Sequence, residues 1–179
     1  MAGSLLRLGC RLAALARCLI AGQAGAVDAD GDVYFDEATP TPAAVLALQD
    51  CDADAKTPAH RKPFAGGFVF AIQCPSNNEN FMEALIFSAA EDGSGGWPLK
   101  FPGPPKRKGV AGDVLSNIRW YPKTREIGEI FVDHENLAVC RSEARWKLEG
   151  EKRTPKLVFW RETSDCDGRR GWVVVVGKR

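Results

Sequence analysis

A chain of 179 residues holds one domain with an export segment or a tail beside it. Its 24 basic and 23 acidic side chains leave a net charge of +1, without the clear basic excess of a dedicated nucleic-acid binder. Apolar residues make up 45% and charged residues 26%, the balance of an ordinary globular protein.

The first 26 residues carry Arg7, Arg11 and Arg17 and no acid. They run through small apolar residues to Ala24-Gly25-Ala26, an A-x-A cleavage pattern, and read as a signal peptide over residues 1–26. Arg17 interrupts the stretch, which is too short for a membrane span of about 20 apolar residues. The expected compartment is periplasmic or secreted. An acid-free, Arg-rich start also suits mitochondrial import, the alternative in a eukaryote. The remainder keeps 21 of the 24 basic residues against all 23 acids, so attraction to nucleic acid or anionic membranes is not expected.

Residues 27–42, "VDADGDVYFDEATPTP", read as an acidic mobile arm. Asp28, Asp30 and Asp32 occupy the first, third and fifth positions of a calcium loop. The glycine is misplaced, however, and Thr39 stands where the bidentate glutamate belongs. A solvated arm is therefore the preferred reading, and no metal or cofactor is expected. "TPAAVLALQDC" predicts a short helix, with Thr41 as cap, Pro42 at the first position and Val45, Leu46 and Leu48 as a partial apolar face. "DADAKTPAHRKP" reads as a polar loop.

From Gly66 onward the pattern is β. "GGFVFAIQC" and "EALIFSAA" are short apolar runs separated by turn material. The loop "PGPPKRKGVAGD" offers a polyanion contact, but a solvated, proline-stiffened loop fits the neutral chain better. "SNIRWYPKTREIGEIFVD" reads as a hairpin, with Ile118 and Trp120 on one face. In "SEARWKLEG", Ala144, Trp146 and Leu148 alternate with Glu143, Arg145 and Lys147, the half-solvated antiparallel pattern. "KLVFWRE" is its partner, and "GWVVVVGKR" reads as a core strand. The prediction is a mainly β domain over residues 43–179, antiparallel, built of hairpins with a short N-terminal helix.

Cys10 and Cys18 fall in the export segment. Cys51, Cys74, Cys140 and Cys166 remain, and four cysteines allow three connectivities. None belongs to a C-x-x-C pair, so neither a zinc finger nor thioredoxin-like chemistry is indicated. If the strands around Trp146 and Phe159 pair, Cys140 and Cys166 meet at the open end of the hairpin. Cys51 and Cys74 would tie the helix end to the first strand.

Several motifs resemble the exported proteobacterial domain-of-unknown-function family numbered 1176. They are "NIRWYPKTREIGEIF", a following cysteine, "ARWKLEG", a hydrophobic strand and "DCDG", with "DCD" at 50–52 and "CPSNNENFMEALIF" upstream. The resemblance covers roughly residues 43–176, the family's C-terminal portion. It implies an exported, β-rich protein with paired cysteines and no established activity. Where the family tends to carry a glycine-rich segment before the third cysteine, this chain has "HENLAVCR".

Candidate chemistry is sparse. His134 with Asp133 or Glu135 is the best catalytic constellation, as in a small periplasmic hydrolase. Consecutive strand residues alternate faces, so the three converge only in a turn. With His60 and His134 the only histidines, a multi-histidine metal site is excluded. No nucleophile-elbow, H-E-x-x-H or P-loop pattern occurs. The five tryptophans, Trp97, Trp120, Trp146, Trp160 and Trp172, serve mainly as core, with exposed ones available as a stacking platform. The sequence thus favours an exported, non-enzymatic binding or envelope-associated domain. Its partner would be an envelope protein or a small ligand. Exposed aromatics lining a groove would favour binding over hydrolysis.

Overall fold

The computed structural model describes residues 38–64, 66–76, 80–104, 112–121, 123–135 and 138–177. The expected signal peptide, the acidic arm up to residue 37 with Asp28, Asp30 and Asp32, and the basic stretch 105–109 lie outside these residues.

The chain is mainly β, and its strands form two antiparallel sheets. The first contains β1 (Ala38–Pro40), β2 (Pro58–Phe64), β3 (Gly67–Gln73), β4 (Met82–Ser88) and β5 (Trp97–Pro98) in sequence order, with β6 (Val114–Ser116) also on β4. The second runs β11-β10-β9-β8-β7, from β7 (Arg119–Tyr121) and β8 (Glu126–Val132) through β9 (Arg141–Glu149) and β10 (Thr154–Thr163) to β11 (Val173–Val176). Apart from β6, which pairs with β4, strands paired in each sheet are successive in sequence, the simplest solution for strands joined by tight turns.

The predicted alternation holds on β9, where Ser142, Ala144, Trp146 and Leu148 are all buried. Ala144, Trp146 and Leu148 join Val69, Ala71, Leu85 and Phe87 of the first sheet in one core, with Trp120, Ile127 and Trp160. Aromatic stacking joins the sheets too: Phe64 lies on Trp120, with ring centroids 4.7 Å apart and planes nearly parallel. The other face of the first sheet carries a smaller cluster of Val45, Ala59, Phe70, Ile72 and Ile86.

Four details differ from the sequence reading. The expected helix amounts to a single turn, α1 (Ala43–Leu46), and it has no side-chain cap. Thr41 instead donates its hydroxyl hydrogen to the Thr57 carbonyl, 2.6 Å away, fastening the turn to the start of β2. Residues 58–63, expected as part of a loop, form with Phe64 a strand, despite Pro58 and Pro63. The strand lies between β1 and β3, with β1 covering only Pro58, Ala59 and His60, so Pro63 faces no β1 residue. The valines of β11 are not core: Val173, Val174 and Val175 are exposed, because β11 is an edge strand paired only with β10.

Both expected cysteine pairs form. Cys51 and Cys74 have Cα atoms 5.4 Å apart, and Cys140 and Cys166 have theirs 4.9 Å apart. The second pair closes the open end of the β9–β10 hairpin, whose register reaches Arg141 opposite Thr163.

Candidate functional sites

Two clefts carry the chemistry. The first lies where β5 meets the tip of the β9–β10 hairpin. Trp97, Pro98, Leu99 and Lys100 line one side, and Lys152, Arg153, Thr154 and Pro155 the other, around about 530 Å³. The Trp97 indole N–H donates to the Lys152 carbonyl at 3.0 Å, and its ring packs on Phe87 at 5.1 Å. Trp97 is thereby held in place yet stays half-buried, so part of its surface faces the groove. Among the described residues, every charged side chain lining this groove is basic. Arg153 donates to the Gly150 carbonyl and lies over the Phe87 ring, whereas Lys100 pairs with Asp113 at 3.4 Å.

The second cleft, also about 530 Å³, sits where the chain crosses between the sheets. His60 and Glu83 line it from the first sheet, with Phe81 just before β4; Asn117 and Ile118 line it from the crossing, and Arg119, Ile130 and Arg141 from the second sheet. Asn117 makes the crossing possible. It adopts a left-handed φ of 45°, which asparagine tolerates better than most residues. Its amide donates to the Ile130 carbonyl at 2.9 Å and to Asn80 Oδ1 at 3.0 Å.

Two half-buried glutamates lie near this crossing, Glu83 lining the cleft and Glu129 bonded to Ser116. Glu83 follows the row of Leu85 and Phe87 on the core side of β4, and burial pushes its pKa up to about 7, against the Ile118 backbone hydrogen bond, which lowers it. Glu129 shares its side of β8 with Ile127. Burial pushes it up to about 7 as well, opposed by hydrogen bonds from Ser116, whose backbone N–H donates at 2.8 Å. A carboxyl titrating near neutrality can hold or release a proton at physiological pH. Neither glutamate was a sequence candidate. The available signal was a charged residue at an inward position of a period-2 strand.

Asp133, His134 and Glu135 follow the end of β8, with His134 and Glu135 in a turn. Asp133 uses Oδ1 to accept the Glu135 backbone N–H at 3.1 Å. His134 has its Nδ1 3.9 Å from Cys140 Sγ. Of the tryptophans, Trp120, Trp146 and Trp160 are core, and Trp97 and Trp172 are half-buried. Trp172 belongs to a cation–π ladder on the second sheet: Arg161 lies 4.1 Å from its ring centre, and Arg145 lies 3.9 Å from that of Tyr121. Gly128 leaves room for this ladder, since a Cβ there would meet the Tyr121 ring at 2.5 Å.

No protein-family model matches the chain, and no curated protein or solved structure is detectably similar to it. Among the described residues, no helix is long and apolar enough to cross a membrane.

Proposed function

We propose that the protein is an exported binding module that holds a small organic anion with a flat apolar body, such as an aromatic carboxylate, in the Trp97 groove. The observation that carries this reading is the lining itself. A fixed, half-buried indole lines one groove together with Pro98, Pro155, Lys100, Lys152 and Arg153, with no acid among the described lining residues. A few placed polar groups around an apolar floor are the usual construction of a small-molecule site. Export is supported by the two cysteine pairs and the A-x-A pattern before Val27.

Backbone-amide chemical-shift mapping with a panel of aromatic carboxylates tests this. Shifts should cluster at residues 97–100 and 152–155. Shifts confined to the Glu83 cleft would move the site there.

Hydrolysis is a second reading, and the Glu83 cleft now favours it over His134. A carboxyl with a pKa near 7 shares that cleft with His60 and Arg119. Turnover of chromogenic esters by the protein, abolished by Glu83→Gln, would establish it. Equal turnover by the variant would exclude Glu83.

A further inference from the structure

The ring of His134 and the sulfurs of Cys140 and Cys166 offer donor atoms that all lie within 4.8 Å of one another. We propose that these three residues form a redox-gated site for a thiophilic cation of the zinc type. The cation is excluded while the cysteines are bridged and is bound once they are reduced.

Oxidised, both sulfurs are spent on each other. An external dithiol opens the bridge by two successive exchanges. It becomes a disulfide, taking the two electrons' worth of oxidation, and leaves two thiols on the protein. A divalent cation then displaces one proton from each thiol and is held by two thiolates and the neutral imidazole. Two sulfurs and one ring nitrogen with a fourth position open to water is a known zinc arrangement.

The site does not depend on the S–S bond for its shape. Nine rungs of β9–β10 pairing end at Arg141 opposite Thr163, which keeps the two cysteine-bearing segments adjacent after reduction. The turn carrying His134 is fastened separately, by the Asp133 N–H donating to the Cys140 carbonyl at 2.7 Å. The Cys166 turn is closed by the Gly168 N–H on the Asp165 carbonyl at 2.9 Å, and Arg141 reaches across to the Asp167 carbonyl. His134 is exposed and Cys166 half-buried, so reductant and ion both have access. Cys51 and Cys74 have no histidine in a comparable cluster among the described residues.

The test is a cobalt(II) and zinc titration of the full chain, oxidised and dithiol-reduced, with circular dichroism to monitor the fold. The reduced protein should take up an ion and give a thiolate-to-cobalt charge-transfer band that the oxidised protein lacks. His134→Ala should weaken binding by about tenfold or more. Cys140→Ser with Cys166→Ser should abolish the band, while Cys51→Ser with Cys74→Ser should leave it. A reduced, folded wild-type protein without the band would overturn the proposal. So would a band that survives loss of Cys140 and Cys166, or affinity unchanged in His134→Ala.

Discussion

The Trp146 indole meets the Trp160 ring edge-on, with centroids 6.5 Å apart and planes at 85°. Both are almost fully buried, and both have their polar atom satisfied. Trp146 donates to the Pro102 carbonyl at 2.8 Å, and Trp160 donates to Glu162 at 2.7 Å. Since Phe101 also packs on Trp146, at 5.2 Å, this pair anchors the 101–102 segment to the second sheet. Trp146→Ala should cost about 3–5 kcal/mol in denaturant unfolding, from lost burial and the cavity left behind. A cost under about 1 kcal/mol would mean that the core is not organised around this ring.

The cysteine pairs each close a local unit, 23 and 26 residues apart in sequence. Replacing Cys140 and Cys166 together by alanine should destabilise the protein by about 2–5 kcal/mol, chiefly by releasing the unfolded chain. Non-reducing peptide mapping checks the connectivity. A peptide joining Cys51 to Cys140 or to Cys166 would contradict it.

The alternation that places Trp146 inward was readable in the sequence because one face of β9 is wet and the other dry. Both cysteine pairs were readable for a related reason, since each depends on a local unit. The β11 valines were misjudged because β-branched side chains suit any strand, and only strand order decides whether a strand ends at an edge. That order, and the division into two sheets at Asn117, comes from long-range packing that no local window contains. The Trp97 groove has the same character: its two walls come from segments about 55 residues apart, the separation of Trp97 and Lys152. Trp97 could be named in advance as a possible platform, but its basic companions could not.

Val173 is 64% exposed on that edge, although it sits in a run of four valines. Val173→Thr should therefore change unfolding free energy by less than about 0.5 kcal/mol. A much larger loss would show that β11 is covered in the native protein.

Glu83 and Glu129 make stability depend on pH. Each has a folded pKa raised from 4.5 to about 7, so between these values the native state keeps a proton that the unfolded chain has released. Their contribution is complete below the unfolded pKa, declines as pH rises towards 7, and is constant above it. Each should account for a loss on the order of 2 kcal/mol across that window. Unfolding curves for wild type and Glu129→Gln, compared from about pH 5 to 8, isolate one of the two. The variant should lose less stability than wild type as pH rises. Parallel curves would place Glu129 in contact with water.

The central claim concerns the groove, and Trp97 is its own reporter. Fluorescence titration with an aromatic carboxylate, at low and high salt, compares wild type with Trp97→Ala and with Lys152→Gln plus Arg153→Gln; binding by the alanine variant is read by calorimetry. The account predicts saturable quenching that weakens with salt, because Lys100 and Lys152 are exposed and screened. It predicts a loss of about 2 kcal/mol or more in the alanine variant, as for a buried aromatic anchor. The double variant should lose roughly 0.5–2 kcal/mol, the worth of two exposed charge contacts. Salt-independent binding that persists undiminished in both variants, or no saturable binding by any member of the carboxylate panel, would contradict it.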